Sequence, residues 1–131
     1  MKILIAEDSS SMRKLLKNCL NRLGISEIVE ASDGKQAFHM ILQQGDIDLI
    51  LLDWKMPVMN GMEFIQKFRA LPFFNDVPII MVTSTSDNRS VFNALKAGVN
   101  DYIVKPFKME TIELKILPHL IRNSRIENSV V

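Results

Sequence analysis

LILLDWKMPVMNG, from Leu49 to Gly61, carries four apolar residues straight into Asp53. It then passes through an aromatic, a cation and Met-Pro to Asn-Gly. A short, continuous apolar run reads as a buried strand. A carboxylate at the end of such a strand costs desolvation free energy unless something pairs with it. The reading of the whole chain therefore turns on what could stand beside Asp53.

Working outward, short apolar runs alternate with stretches of helical spacing. KILIA (Lys2–Ala6), EIVEA (Glu27–Ala31), DLILL (Asp48–Leu52), VPIIMV (Val77–Val82) and YIV (Tyr102–Val104) read as five strands. Between them, Met12, Leu15, Leu16, Cys19, Leu20 and Leu23 mark a helix stopped by Gly24, and Ala37, Phe38, Ile41 and Leu42 mark one stopped near Gly45. Phe64, Ile65 and Phe68 mark a third helix, and Val91, Ala94 and Leu95 a fourth that ends at Ala97-Gly98. Ile112, Ile116, Leu117, Leu120 and Ile121 mark the last. It contains Pro118, whose missing N–H and ring clash predict a kink, or a break after about two turns. Five strand–helix units in series predict an α/β fold with a parallel sheet. Continuous Ile/Leu/Val strands call for cover on both faces, and right-handed crossovers supply helices there, giving a doubly wound sheet.

Composition narrows the functional classes. The chain has 131 residues, 47% hydrophobic and 24% charged, which fits one domain with its own core. Lys+Arg number 16 against Asp+Glu 15, a net charge of +1, so neither a nucleic-acid partner nor a membrane surface is expected. The single cysteine, Cys19, excludes an internal disulfide and points to a reducing compartment. No apolar run is long enough for a signal peptide or a membrane span, and a cytoplasmic location is expected.

In a doubly wound sheet, ligands bind at the carboxyl ends of the strands, near the reversal of strand order. Strand one is followed by Glu7-Asp8, strand three by Asp53, strand four by Thr83-Ser84 and strand five by Lys105-Pro106. Strand two runs into Ser32-Asp33-Gly34, which reads as an ordinary turn and helix start. Taken singly, Asp8 reads as an N-cap, Lys105 as a solvated lysine, Thr83 as a β-propensity choice and Asp53 as a turn cap. His39 and His119 lack metal-ligand spacing; Cys19 and Met12, Met40, Met62 and Met81 read as packing. Together, however, three carboxylates at one edge repel one another unless a cation intervenes. Mg²⁺, which takes one or two carboxylates, several waters and a phosphate oxygen, resolves that conflict. Lys105 offers a compact charge and Thr83 a hydroxyl to phosphoryl oxygens. Asp53 is left as a nucleophile of the aspartyl-phosphate kind.

The order of these motifs resembles the receiver domain of bacterial two-component response regulators. The acid pair Glu7-Asp8, Asp53 within LLDWKMPVMNG, Thr83 after an apolar strand, and Asp101-Tyr102-Ile103-Val104-Lys105-Pro106-Phe107 all lie between Lys2 and about Ile121. Trp54 after Asp53 and the SSSMRK opening of helix one resemble the single-domain chemotaxis type most. The resemblance implies a flavodoxin-like sheet of strand order 2-1-3-4-5, with residues 1–122 as the receiver domain and 123–131 as a short C-terminal tail. It implies that Asp53 accepts a phosphoryl group from a sensor kinase phosphohistidine. Asp8, Asp53 and the Lys55 backbone carbonyl would bind Mg²⁺, with Glu7 acting through water. Lys105 would hold a phosphoryl oxygen, the Lys105-Pro106 bond would be cis, and Thr83 and Tyr102 would form the switch. The protein would be a monomer that catalyses only its own phosphorylation and dephosphorylation. Output would pass to a target protein, the flagellar motor switch or another, through helix four, strand five and helix five.

The chain departs from the common pattern in three places: Glu-Asp instead of Asp-Asp, Lys55 and Thr85 at the positions that tune hydrolysis in this family, and Pro118 in the output helix. Lys55 and Thr85 suit the orientation of water poorly, so slow to moderate self-dephosphorylation is expected. A haloacid-dehalogenase-type phosphatase uses the same parts, but there the nucleophile follows strand one and an acid stands two residues later, where this chain has Lys55. A docking module that is never phosphorylated is the remaining alternative. No glycine-rich loop follows strand one, which argues against a nucleotide-binding domain.

Overall fold

In the computed structural model, described over residues 1–72, 76–84 and 88–129 with side chains to 122, Leu49–Asp53 forms the central strand of the sheet. The elements run β1 (Lys2–Ala6), α1 (Ser10–Arg22), β2 (Glu27–Ala31), α2 (Gly34–Gln44), β3 (Leu49–Asp53), α3 (Gly61–Arg69), β4 (Ile79–Thr83), α4 (Asn88–Ala97), β5 (Asp101–Val104) and α5 (Met109–Ser129). The sheet is parallel, in the order β2-β1-β3-β4-β5. Register places Ala6 beside Leu52, Asp53 beside Val82 and Thr83 beside Val104, which brings the carboxyl ends of four strands level.

Alternation along the strands splits the core in two. Leu4, Ile50, Leu52, Ile79 and Met81 face Ala37, Ile41, Phe64, Phe68 and Ala94 of α2, α3 and α4. Ile3, Ile5, Leu49, Leu51, Ile80 and Val82 face Leu16, Cys19, Leu20, Ile112 and Ile116 of α1 and α5. Both faces are therefore covered, and each fully buried Leu or Ile contributes about 1.5–3 kcal/mol of hydrophobic free energy. Cys19 and Met81 lie in these clusters, with Met12, Met40 and Met62 packed against them; His39 is exposed.

Besides one-residue shifts at the end of β4 (Thr83 rather than Val82) and the start of β5 (Asp101 rather than Tyr102), three boundaries differ from the sequence reading. β3 begins at Leu49 rather than Asp48 and takes in Asp53 itself. Asp48 instead accepts the Lys2 backbone N–H at 2.7 Å, closing the sheet's amino edge. β4 begins at Ile79, because Val77 and Pro78 precede the ladder, and the Pro78 carbonyl accepts from Ile50 N. The third concerns Pro118. α5 runs unbroken from Met109 to Ser129 with Pro118 inside it, so no break follows two turns. Residues 123–129, read as part of a tail, continue the helix. Among the described residues no helix is long and apolar enough to cross a membrane.

Candidate functional site

The strand ends bring Glu7, Asp53, Thr83 and Lys105 together. Strand order reverses between β1 and β3, and at that point Glu7, Asp8 and Asp53 each offer a carboxylate oxygen within 4.8 Å of the others. Glu7 and Asp53 are buried, whereas Asp8 is exposed at the mouth. Asp8 does not cap α1: Ser9 does, its Oγ accepting from Met12 N at 3.3 Å. Asp53 does not cap α3 either, a role Asn60 fills in a reciprocal pair with Glu63. Both aspartates are thus left to the site. Thr83 is buried at the end of β4, and the Lys105-Pro106 peptide is cis.

Lys105 stands nearer Glu7 than Asp53. Its Nζ donates to Glu7 Oε1 at 2.7 Å, with Asp53 Oδ1 at 3.6 Å. The longer side chain of Glu7 reaches the ammonium first, so Asp53 is only partly compensated. Burial, and then the Glu7 carboxylate beside it, push Asp53 up to about 6, against the downward pull of Lys105. A further oxygen lacks a partner: Glu7 Oε2 is buried and meets no hydrogen-bond partner among the described residues. Such an atom costs about 1–3 kcal/mol of unrecovered desolvation. An orphaned carboxylate oxygen, two neighbouring acids and a single lysine form an oxygen-rich, net-negative set, which fits a hard divalent cation.

The β3–α3 loop forms the other wall. Lys55 N lies 3.4 Å from Asp53 Oδ1, and the Gly61 N–H donates to Trp54 O at 3.0 Å, closing the loop on itself. Inside it, Val58 takes φ 66° as Met59 N donates to Pro57 O at 2.7 Å, a three-residue turn that is strained for a β-branched residue. Trp54 is half-buried and, beyond flanking the site, packs on the core face shared with α3; a Cβ on Gly61 would come within 2.4 Å of its ring. An open groove lined by Asp8, Trp54, Lys55, Pro57 and Asn60 adjoins the carboxylates. Thr85 lies outside the described residues.

Sequence reasoning missed two supports. Arg13 donates from Nη1 to Glu7 O at 2.7 Å and to Asp8 O at 3.4 Å, tying down the acid pair's backbone. A cation within the first turn and a half of the helix after an acid pair is the signal that would have found it. The second is Gly34, whose N–H donates to Met59 O at 3.1 Å. No local pattern announces that contact, because its two ends lie in different strand–helix units.

Residues 3–117 match the response regulator receiver domain, and the fold and site agree with that match: the chain belongs to this family. Within it, chemotaxis proteins are among the relatives it resembles most. The chain is 45% identical over 116 residues to the chemotaxis protein CheY homolog of Campylobacter jejuni, covering 88% of this chain and 89% of the relative. It is 43% identical to chemotaxis protein CheY1 of Helicobacter pylori, covering 88% and 94%. Among solved structures, Vibrio cholerae CheY4 aligns with a TM-score of 0.79 and 32% identity over 89% of this chain and 95% of that one. The receiver domain of the Pseudomonas aeruginosa sensor histidine kinase PA1611, solved with a magnesium ion coordinated in its active-site cleft, gives the same TM-score and identity over 88% and 93%. The chain is thus a receiver domain of the CheY chemotaxis type, with a phosphoacceptor signalling role in two-component systems. That class sets aside the phosphatase alternative.

Proposed function

We propose that Asp53 is the phosphoacceptor, taking a phosphoryl group from the phosphohistidine of a sensor kinase. The observation that carries this reading is the charge around Asp53, which the described residues leave only partly compensated: three carboxylates within 4.8 Å, one buried oxygen without a partner among those residues, and one lysine divided between two acids. Asp53, Asp8 and the Lys55 carbonyl would hold Mg²⁺, with Glu7 reaching it through water. Bound there, the ion would supply positive charge toward the phosphoryl oxygens. An Asp53 carboxylate oxygen attacks phosphorus, the phosphorus–nitrogen bond to imidazole breaks, and the electron pair leaves with the ring nitrogen. Lys105 holds a phosphoryl oxygen and leaves Glu7 to do so. Thr83 donates its hydroxyl to another, and Tyr102, now 37% exposed, turns inward behind it.

The protein acts on no separate substrate; it catalyses its own phosphorylation and dephosphorylation, as a cytoplasmic monomer. Output runs through the face of α4, β5 and α5 to a target protein. Among the described residues, Phe92, Leu95, Tyr102, Leu114, Leu117 and Ile121 are the large apolar side chains left exposed on those elements. Labelling with acetyl phosphate tests the acceptor. Wild type takes up label with Mg²⁺ and loses that uptake with EDTA, while Asp53→Asn takes up none in either condition. Labelling of Asp53→Asn at the wild-type rate refutes the assignment.

A further inference from the structure

Gly34 belongs to none of the proposed acceptor, metal or switch residues, yet it touches the loop that forms the site's second wall. Its N–H, at the first position of α2, is one of the donors that a helix cannot satisfy internally. It donates across the molecule to Met59 O at 3.1 Å, in the middle of the β3–α3 loop. The approach is so close that a Cβ on Gly34 would lie 2.3 Å from Met59 O and 3.0 Å from Met59 C. That neighbour is backbone, so it could yield only by moving the loop itself.

Both sides of this contact are stiff. On the α2 side, Asp33 Oδ1 accepts from Gln36 N at 2.8 Å, and Gln36 Oε1 accepts from Ser32 N and Ser32 Oγ, each at 2.9 Å. On the loop side, the strained turn at Val58 precedes Met59, and the Trp54–Gly61 hydrogen bond and the Asn60–Glu63 pair close the segment on either side. A displacement at Met59 therefore has no slack to absorb it and is passed back along six residues to Asp53. We infer that Gly34 is a positioning residue for the phosphoacceptor site: its bare Cα lets the start of α2 hold the β3–α3 loop where Asp53 and the Lys55 carbonyl face the cation together. This rests on the reading of Asp53, Asp8 and Lys55 as the Mg²⁺ site.

Gly45 provides the control. It ends α2 at φ 76°, so a side chain there is strained, but a Cβ would meet nothing within 4 Å. Gly45→Ala should destabilise the protein through its backbone alone and leave the loop untouched. Mg²⁺ is titrated into wild type, Gly34→Ala and Gly45→Ala below their unfolding temperatures, with Trp54 fluorescence as the readout. Gly34→Ala should weaken Mg²⁺ binding at least threefold and shift the emission of the metal-free protein, while Gly45→Ala binds within twofold of wild type at comparable loss of stability. A second measurement needs no variant. By linkage, Mg²⁺ should slow hydrogen exchange at the Gly34 amide of wild type more than at the Gly45 amide, which bonds within its own helix to Ile41 O. Equal Mg²⁺ affinity in Gly34→Ala and wild type, or equal slowing at the two amides, overturns the inference. Absence of any Mg²⁺ response in wild type overturns the metal-site reading, and the inference with it.

Discussion

The two edges of the sheet are built from the same kinds of side chain and treat them in opposite ways. At the amino edge, Arg69 donates to Gly98 O from Nε and Nη2 at 3.2 and 2.7 Å, to Val77 O from Nη1 at 2.8 Å and to Asn100 Oδ1 at 3.0 Å. Asn100 Oδ1 also accepts from Ile79 N at 2.8 Å, and Asp48 takes the Lys2 N–H. Each of these polar groups has found a partner in the protein. At the carboxyl edge, Glu7 Oε2 has none among the described residues and Asp53 is pushed up to about 6. One edge is arranged to hold the fold. The other leaves polar groups unsatisfied that the proposed cation and phosphoryl group would pair, so loss of polar satisfaction, more than polarity itself, marks the proposed functional end.

Breaking the amino edge should cost the most stability and the least function. Arg69→Ala removes at least the four hydrogen bonds it makes among the described residues, including those to the Gly98 and Val77 carbonyls, a loss of about 2–4 kcal/mol by urea denaturation. Its labelling by acetyl phosphate, measured where it remains folded, should match wild type. A loss of labelling there would show that the two edges are not independent.

At the carboxyl edge the sign reverses. Burial and Glu7 raise Asp53 from the usual 3.8 to about 6, so the folded metal-free protein holds that proton more tightly than the unfolded chain. The stability linked to Asp53 is then fully present below pH 4 and lost as pH rises through 6. Relative to Asp53→Asn, metal-free wild type should lose about 1–3 kcal/mol between pH 4 and pH 7, and the variant should be the more stable at pH 7. Denaturation of both proteins in EDTA across that range checks the window. Equal pH profiles would mean that Asp53 is fully compensated without metal.

Mg²⁺ sharpens the contrast further. It should stabilise wild type at millimolar concentration, since the proposed site offers it few protein ligands, and should do so far less in Asp8→Ala, which removes a proposed direct ligand. Thermal melts with and without Mg²⁺ read the effect, expected to be a few degrees. An identical shift in the two proteins would remove Asp8 from the site. The smallest effect belongs to the rim of the amino edge. Asp46, fully exposed, pairs with Lys2 Nζ at 2.9 Å, and Asp46→Ala should leave the denaturation midpoint unchanged because solvent screens such pairs.

The sequence by itself determined the order of the elements and which side chains stand at the carboxyl edge of the sheet. Short apolar runs and period-3.6 apolar spacing are local properties, and they placed β1, β2 and the body of each helix. Glu7, Asp53, Thr83 and Lys105 could be read as one set because a parallel sheet delivers strand ends to one edge, whatever its side-chain details. Tertiary structure decided what contact between distant units decides. Asp48 left its strand because Lys2 needed an acceptor, and α5 continued through Pro118, whose flanking residues Ile116 and Leu120 dock against the sheet. Lys105 went first to Glu7 because the distance between two side chains 98 residues apart depends on strand register, which no local pattern encodes. The same holds for Gly34 and Met59: only the packing of α2 against the β3–α3 loop shows why that position carries no side chain.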